Sequence, residues 1–264
     1  MYSMNSYTLI TGGSQGIGLS LARQFAQNGY NLILVARDPS ELEEASAALA
    51  FYGVEIITIV KDLFNKDAAH ELYNEVVNQG LQVDILVNNA GQGQYGLFED
   101  TEIGRELAII QLNICSLVVL TKFFLRDMLQ RGKGKILNLS SIAGKTPGPW
   151  QAVYHGTKAF VQSFTQALRS EVKDQGITVT ALLPGATDTD FFNKAGMNDS
   201  KAVADKNKLA DPEEVAKDGY NALKEGKDQV ISGFKNKMNV AMSNIMPDSA
   251  AADNMKDTQE PVDR

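Results

Sequence analysis

The sequence predicts an α/β fold: a doubly wound parallel sheet of about seven strands with helices on both faces. Two observations support this prediction. Short β-rich runs alternate with helical patterns along most of the chain, which is typical of strands joined by right-handed helical crossovers. Several of these runs are continuously apolar, as expected for parallel strands that are covered on both faces. A chain of 264 residues that is 44% hydrophobic can bury the core that such a fold requires.

The order of elements follows from these patterns. Strands are predicted at residues 8–11, 31–36, 54–60, 83–88, 135–140, 178–183 and 229–232. Helices are predicted between them, at roughly residues 16–28, 40–51, 66–79, 101–130, 151–175 and 212–225. Two helix starts are well marked, because Asp38 and Asp211 each stand at an N-cap position before proline at N1 and glutamate at N3.

The helix and strand patterns are lost from about residue 235. We therefore expect one domain over residues 1–234. The remaining segment, residues 235–264, is expected to be a tail that is poorly ordered or that docks on another subunit.

Bulk properties argue against several classes of protein. The net charge of −7 and the pI of about 5.0 oppose a broad phosphate-binding surface, so no nucleic-acid partner is expected. No apolar run approaches the ~20 residues of a transmembrane helix, and residues 1–6 lack the features of a secretory signal. We expect no membrane association and a cytoplasmic location. The single cysteine, Cys115, is expected in the core, and the two histidines and one cysteine form no metal-site pattern.

A glycine-rich segment follows the first predicted strand and opens the first helix. It reads Gly12-Gly13-Ser14-Gln15-Gly16-Ile17-Gly18. A diphosphate binds well at such a place, because backbone without a Cβ can approach it closely and the helix N-terminus offers free N–H groups. The segment could also be only a tight strand-to-helix connection. Its position between a strand and a helix favours dinucleotide binding.

Tyr154 and Lys158 lie four residues apart in a predicted helix, and Ser141 follows an earlier predicted strand. Positions i and i+4 share one helix face, so the ammonium group can favour the phenolate form of the tyrosine. A hydroxyl from the strand end can orient a substrate oxygen. Each residue also has a simpler explanation: a packed tyrosine, a solvated lysine and a serine that caps a turn. Their coincidence favours acid/base chemistry on a carbonyl group.

Further polar and glycine motifs stand between and after these: Asp62-Leu63, Asn88-Asn89-Ala90-Gly91, Asn113, and Pro184-Gly185 with Thr189. Together with the segment from Thr11 to Gly18 and with Ser141, Tyr154 and Lys158, they resemble in order and separation the short-chain dehydrogenase/reductase family, in its compact single-domain branch and closest to NADP-preferring carbonyl reductases. The resemblance covers residues 7–232 and implies a Rossmann fold that forms one dinucleotide-binding and catalytic domain. The cofactor-binding residues that it implies are Gly12, Ser14, Gln15, Gly16, Ile17, Gly18, Asp62, Leu63, Asn89, Ala90, Gly91, Tyr154, Lys158, Pro184, Gly185, Thr187 and Thr189.

The resemblance also implies four catalytic residues. Tyr154 would exchange a proton with the substrate oxygen, Lys158 would hold the nicotinamide ribose and keep the phenol acidic, and Ser141 would bind the substrate oxygen. Asn113 would hold a water that links Lys158 to solvent. Because Asn113 lies among apolar residues of the predicted helix 101–130, it needs a buried partner in any case.

Two of the implied cofactor motifs have a simpler alternative. The segment Asn88-Asn89-Ala90-Gly91 could be only a strand-ending turn, since asparagine and glycine both tolerate positive φ. Asp62 could be only a surface turn residue. His155, beside Tyr154, points about 100° away from it on the helix and is expected to have a structural role.

The end of the second strand predicts NADP(H) rather than NAD(H). An NAD-dependent enzyme usually places an acid there to bind the ribose 2′-hydroxyl, but this strand ends in Ala36 and Arg37. Ala36 cannot accept that hydrogen bond, whereas Arg37 could pair with a 2′-phosphate. The next residue, Asp38, is already explained as a helix cap. NAD(H) is the less favoured alternative.

The substrate side is less defined. Residues 186–210 are implied to cover the active site, and Phe191 and Phe192 could either wall an apolar pocket with Trp150 and Tyr95 or only anchor the segment. No fixed charge identifies a carboxylate or phosphate on the substrate, so a small carbonyl or alcohol compound is expected. The alternatives are a non-catalytic NADP(H)-binding sensor and an isomerase or lyase of the same fold. The presence of both Tyr154 and Lys158 disfavours the sensor.

The helix predicted at residues 101–130 is apolar on more than one face. One face can cover the sheet, and another is predicted to pack on a second subunit in a homodimer or homotetramer. The residues that give it this character are Leu117, Val118, Val119, Leu120, Phe123 and Phe124.

Overall fold

A computed structural model describes residues 6–243 and 246–262, and the side chain of residue 206 is not described. Within these ranges there are seven strands: β1 (Ser6–Thr11), β2 (Asn31–Ala36), β3 (Ile56–Val60), β4 (Gln82–Asn88), β5 (Gly134–Leu139), β6 (Ile177–Leu183) and β7 (Gln229–Ile231). All pair in parallel, in the order β3-β2-β1-β4-β5-β6-β7. The predicted parallel sheet of about seven strands is confirmed.

Helices cover both faces of the sheet, as predicted. They are α1 (Gly16–Gln27), α2 (Pro39–Leu49), α3 (Ala68–Asn78), α4 (Ile103–Ile110), α5 (Leu117–Arg131), α6 (Ala152–Val172), α7 (Phe191–Ala195), α8 (Pro212–Lys224), α9 (Phe234–Ser243) and α10 (Asp248–Gln259). A π-helical segment (Gln111–Ser116) joins α4 to α5 without a break. Both predicted N-caps are confirmed: Asp38 Oδ1 accepts from Ser40 N at 2.9 Å, and Asp211 Oδ1 accepts from Glu213 N at 2.9 Å.

Each face of the sheet has its own apolar core. On one face, the strands pack against Leu72 of α3, Phe124 and Met128 of α5 and Leu168 of α6. On the other face, α1, α2 and α8 bury Phe25, Leu42, Leu223 and neighbouring residues. The order in which strands follow one another across the sheet reverses between β1 and β4. These two strands are neighbours in the sheet, although β2 and β3 lie between them in sequence. Ligands of such sheets bind beyond the carboxyl ends of the strands at this switch point, and β1 ends there in the glycine-rich segment.

The long central helix corrects one expectation from the sequence. From Ile103 to Arg131 it runs for 29 residues and is long and apolar enough to cross a membrane by length and composition. The expectation that no apolar run approaches this length was therefore wrong, because isolated polar residues such as Asn113 interrupt the run without lowering its average hydropathy much. In the structure, Leu120 and Phe124 of this helix pack in the core of the domain.

Cys115 corrects a second expectation. It is exposed, not buried in the core. It lies in the π-helical segment, where the wider turn directs the neighbouring side chains of Leu112, Asn113 and Ser116 inward. A regular helical period does not anticipate this change of register.

The segment after residue 234 also differs from its sequence pattern, since most of it is helical. Val240 is buried in α9, and only Ala251 and Gln259 are buried in α10. Because so few residues of α9 and α10 face inward, neither helix has a continuous apolar stripe that its sequence could reveal. We refer to α9 and α10 together as the C-terminal cover.

Candidate active site

A cleft of about 740 Å³ opens at the carboxyl end of the sheet and brings together all but one of the predicted site residues. The predicted residues in its wall are Gly12, Ser14, Gln15, Gly16, Ile17, Gly18, Arg37, Asp62, Leu63, Asn89, Ala90, Gly91, Ser141, Tyr154, Lys158, Pro184, Gly185, Thr187 and Thr189. Asn113 is the exception and lies behind the wall. Within the described residues, no three His, Cys, Asp or Glu side chains gather in a way that could hold a metal ion.

Tyr154 is partly buried on the first turn of α6 and faces Ser141, which follows β5. Burial raises the pKa of Tyr154 to about 12, although a side-chain hydrogen bond between Tyr154 and Ser141 acts to lower it. At neutral pH the phenol therefore carries its proton and can donate it. The Ser141 hydroxyl is itself held in place, because it donates to Pro184 O at 3.3 Å and accepts from Ala143 N at 3.1 Å.

Lys158 lies one helical turn after Tyr154 and is buried. Its Nζ donates to Leu139 O at 2.8 Å and lies 5.8 Å from the centroid of the Tyr154 ring. Burial lowers the pKa of Lys158 to about 8, so the side chain is still mostly charged at neutral pH. The i, i+4 spacing places a positive charge near the phenol, as predicted. The predicted effect on the phenol is not seen, because burial raises the pKa of Tyr154.

Asn113 is buried in the π-helical segment, and both ends of its amide have partners. Its Oδ1 accepts from Gln92 N at 3.0 Å, and its Nδ2 donates to Gln92 O at 2.9 Å and to Thr157 Oγ1 at 3.0 Å. These hydrogen bonds supply the buried partners that we expected Asn113 to need from its position among apolar residues. Asn113 therefore fixes the backbone of the loop after β4 against α6, directly behind Lys158.

The glycine turn has the shape that a diphosphate requires. Gly16 has a φ of +54°, in the left-handed region that favours glycine. A Cβ on Gly18 would lie 2.0 Å from Gly12 O, so a larger residue cannot fit there. The neighbouring loop after β4 is tied to the turn, because Asn89 Nδ2 donates to Thr11 O at 2.9 Å and to Gly12 O at 3.0 Å.

Glu41 is a cleft residue that the sequence analysis assigned only to a helix cap. Its Oε2 accepts from Ser14 Oγ at 2.9 Å and from Gln15 Nε2 at 2.9 Å, both in the glycine turn. Its Oε1 lies 4.0 Å from Lys194 Nζ of α7. In the structure, this carboxylate thus occupies hydrogen-bonding groups that a phosphate could use.

Two arginines flank Phe64 where β2 and β3 end. The guanidinium carbon of Arg37 lies 5.7 Å from the centroid of the Phe64 ring, and that of Arg105 lies 5.3 Å from it. Burial and the charge of Arg37 lower the pKa of Arg105. Asp62 shapes this corner by accepting from Phe64 N at 3.1 Å. The sequence analysis missed Phe64 and Arg105, because neither belongs to a recognisable motif.

The far side of the cleft is covered by α7 and the C-terminal cover. Phe191 and Phe192 both line the cleft, and the Phe191 ring centroid lies 5.2 Å from that of Tyr154. Both also pack in a small cluster with Met197 and Val203, so they wall the pocket and anchor the loop. Trp150 and Tyr95 stack on each other outside the cleft wall. Four methionines line this side: Met197, Met242, Met246 and Met255.

Gln259 joins the C-terminal cover to the catalytic helix. Its Nε2 lies 3.0 Å from His155 Nε2, and its backbone carbonyl accepts from the hydroxyls of Tyr95 and Ser200. His155 Nδ1 lies 2.8 Å from Thr146 O, and burial lowers the pKa of His155. The neutral imidazole therefore donates from Nδ1 and accepts the Gln259 amide at Nε2. The structural role expected for His155 fits this arrangement.

Comparisons with known proteins give the family. The family model described as short chain dehydrogenase matches residues 6–200. The chain is 33% identical to an uncharacterised oxidoreductase, YmfI, of Bacillus subtilis, over 81% of this chain and 89% of that protein. Among solved structures, the short-chain dehydrogenase from Sphingobium yanoikuyae in complex with NADPH superposes with a TM-score of 0.79 at 29% identity, over 91% and 94% of the two chains.

A second solved structure is of similar closeness. The bulky-bulky ketone specific alcohol dehydrogenase from Comamonas testosteroni superposes with a TM-score of 0.77 at 28% identity, over 92% of this chain and 94% of that one. The parallel sheet, the glycine turn at its switch point and these matches lead to one conclusion: the chain belongs to the short-chain dehydrogenase/reductase family of oxidoreductases.

Proposed function

We propose that this oxidoreductase uses NADP(H) and transfers a hydride between the nicotinamide and a carbonyl or alcohol substrate, with Tyr154 as the acid/base. The observation that carries the proposal is the convergence of the Tyr154 phenol, the Ser141 hydroxyl and the Lys158 ammonium group on one cleft that also contains the glycine turn. We further propose that it works in the cytoplasm on small molecules, without a membrane or nucleic acid.

The cleft residues suit a nicotinamide dinucleotide, which supplies or accepts the hydride when bound. The glycine turn and the start of α1 would hold the diphosphate, because they offer a backbone surface that a Cβ would fill. Asp62 and the loop at Asn89–Gly91 would contact the adenosine half. Lys158 would hold the ribose next to the nicotinamide, and Pro184 to Thr189 would line the ring itself.

The protein residues can handle the proton in either direction. In reduction, the Tyr154 phenol donates its proton to the carbonyl oxygen as negative charge develops there, and the Ser141 hydroxyl stabilises that charge. The Lys158 charge stabilises the phenolate that remains. In oxidation, the same phenolate takes the proton from the alcohol. Burial of Ser141 and Lys158 strengthens these interactions, because the dielectric constant around them is low.

The preference for NADP(H) is supported by Arg37, which is exposed at the end of β2 and has Phe64 as a ring partner. We expect Arg37→Ala to lower the ratio of NADPH to NADH affinity by about 10- to 100-fold, the effect of losing a charge-assisted hydrogen bond. Fluorescence titration with both nucleotides measures the ratio. Arg126→Ala, an exposed arginine of α5, is the control. An unchanged ratio in Arg37→Ala would refute the assignment.

The activity itself is tested by NADPH oxidation with a panel of aldehydes, ketones, diketones and quinones, with NADH in parallel. We expect turnover with NADPH that falls by about 10²- to 10⁴-fold in Tyr154→Phe, the usual contribution of a general acid. Tyr52→Phe, outside the cleft, should retain full activity. Tight NADPH binding without turnover of any carbonyl compound would instead favour the non-catalytic sensor.

We also propose that the substrates are apolar and bulky. Met197, Met242, Met246 and Met255 give the substrate side a flexible apolar wall that can adapt to large groups. The similar Comamonas enzyme is a bulky-bulky ketone specific alcohol dehydrogenase.

We also propose that the protein is a homo-oligomer. Association is supported by exposed apolar residues on α4, namely Ile103 and Leu107.

A further inference from the structure

Glu41 is an accessible acid in the part of the cleft where the adenosine half of the cofactor is proposed to bind. It lines the cleft together with Arg37, Ser14 and Gln15. A glutamate at the third position of a helix usually reaches back to the N–H of the N-cap residue. Both hydrogen bonds of the Glu41 carboxylate among the described residues go instead to the Ser14 and Gln15 side chains. The Glu41 side chain is 37% exposed, so a ligand in the cleft can reach it.

The end of β2 and the glycine turn form one corner of the cleft. β1 and β2 are neighbours in the sheet, and Gly12 N donates to Val35 O at 2.7 Å, so the two segments leave the sheet side by side. Arg37 follows Val35 by two residues, and Ser14 follows Gly12 by two residues. The guanidinium group of Arg37 and the carboxylate held by Ser14 therefore belong to the same corner, where the adenosine ribose is expected.

The opposite charges at this corner do not neutralise each other. Glu41 Oε1 lies 4.0 Å from Lys194 Nζ, and within the described ranges no ion pair joins Glu41 to Arg37, which contacts the Phe64 ring. Asp38, the acid next to Arg37 in sequence, is engaged as the cap of α2. Glu41 is thus an acid that can act on a bound ribose in opposition to Arg37.

A carboxylate and a guanidinium group discriminate between the two nicotinamide cofactors in opposite directions. The ribose 2′-hydroxyl of NAD(H) can donate a hydrogen bond to a carboxylate. In NADP(H) a phosphate replaces the hydrogen of this hydroxyl, and its negative charge is repelled by the carboxylate. The phosphate must also displace Glu41 before it can accept from Ser14 and Gln15. Arg37 has the contrary effect, because it can form charge-assisted hydrogen bonds with the phosphate.

We propose that Glu41 is a specificity-determining residue that favours NAD(H) and counteracts Arg37, so that the enzyme accepts both cofactors. This inference rests on the proposed use of a nicotinamide dinucleotide. The preference for NADP(H) that Arg37 creates is then smaller than the guanidinium group alone would give. Glu41 supplies the acidic group that the end of β2 lacks, from the first turn of the following helix.

The test measures the dissociation constants of 2′,5′-ADP and 5′-AMP by titration calorimetry. These nucleotides differ only in the phosphate on the ribose 2′-oxygen, and their binding requires no turnover. We expect Glu41→Gln, which keeps the shape of the side chain but removes its charge, to raise the preference for 2′,5′-ADP about tenfold. Glu41→Ala should raise it in the same direction and serves if Glu41→Gln does not fold.

Glu44→Gln is the matched control. Glu44 lies on the same helix and carries the same charge, but it is exposed and outside the cleft wall. Its replacement should change the preference for 2′,5′-ADP by less than about twofold. A preference that stays within about twofold of wild type in the Glu41 variants, or that falls, overturns the role of Glu41.

Arg37→Ala, measured with the same two nucleotides, separates this inference from the proposed preference for NADP(H). If the preference for 2′,5′-ADP rises in Glu41→Gln but is unchanged in Arg37→Ala, Glu41 is supported and the assignment of Arg37 is refuted. If it falls in Arg37→Ala but is unchanged in Glu41→Gln, Glu41 is refuted and the preference for NADP(H) stands. Wild-type protein that binds neither nucleotide contradicts both.

Discussion

Lys158 is held in an environment that disfavours its charge. Burial lowers its pKa to about 8 in the folded protein, whereas an unfolded lysine keeps a pKa near 10.5. Between these two values the unfolded state binds more protons, so the free energy of unfolding rises with pH across this window and the charged lysine destabilises the fold below it. The gap between the two pKa values corresponds to roughly 3 kcal/mol. Such a residue is typical of a functional site.

Replacing Lys158 with methionine should therefore stabilise the protein while it removes activity. At pH 7 we expect Lys158→Met to unfold with a free energy about 1–3 kcal/mol larger than wild type, since the lost hydrogen bond to Leu139 O offsets part of the gain. Urea unfolding at pH 7 and pH 10 measures this. The difference should shrink as pH rises from 8 toward 10.5, where the wild-type lysine is neutral in the fold.

The control for this prediction is Lys122→Met. Lys122 is exposed on α5, so its replacement should change the free energy of unfolding little at either pH. A Lys158→Met protein that is less stable than wild type at pH 7 would mean that the Lys158 ammonium group is well solvated or paired in the fold.

At the scale of elements, α10 depends on Gln259 for its position. Gln259→Ala leaves the buried His155 Nε2 without the Gln259 donor, a loss of about 1–3 kcal/mol. We expect faster amide hydrogen exchange over residues 248–259 and a KM for ketones about tenfold higher. The dissociation constant for NADPH should change less than about twofold, because the hydrogen bonds of the glycine turn among the described residues go to Glu41, the end of β2 and the loop after β4, not to α10.

Lys256→Ala is the control for α10, since Lys256 is exposed on the same helix and lies outside the cleft wall. It should leave hydrogen exchange and KM unchanged. If Gln259→Ala raises KM without any change in exchange over residues 248–259, then Gln259 acts on the substrate directly and not through the docking of α10.

At the scale of the whole molecule, association should use α4. Leu117, Leu120 and Phe124 of the predicted apolar helix are buried within the domain, whereas Ile103 and Leu107 of α4 are 64% and 57% exposed. We expect an oligomeric mass by light scattering for the wild type and a monomeric mass for Ile103→Glu/Leu107→Glu. Phe51→Glu, at an exposed site on the opposite face of the sheet, is the control. A monomeric wild type would refute the proposal.

The sequence predicted most of the sheet and the cleft because these follow local rules. Asp38 caps α2 through its own neighbours, and Gly18 is required by contact with a backbone atom six residues away. Two parts of the site depend on contacts that join distant segments. Gln259 reaches His155 across 104 residues, and Arg105 meets Arg37 only around the ring of Phe64. Outside the site, Cys115 is exposed because it lies in the π-helical segment, which a regular helical period does not predict.

The carboxylate of Glu41 contacts groups on two sides of the cleft. Its carboxylate accepts from Ser14 and Gln15 in the glycine turn and lies 4.0 Å from Lys194 on α7. A phosphate that takes over the hydrogen bonds of the turn releases this carboxylate, and its pairing with Lys194 then changes. If a substrate that contacts α7 changes this pairing, its effect on phosphate affinity and the effect of the phosphate on its own affinity must be equal, because binding free energies are linked reciprocally.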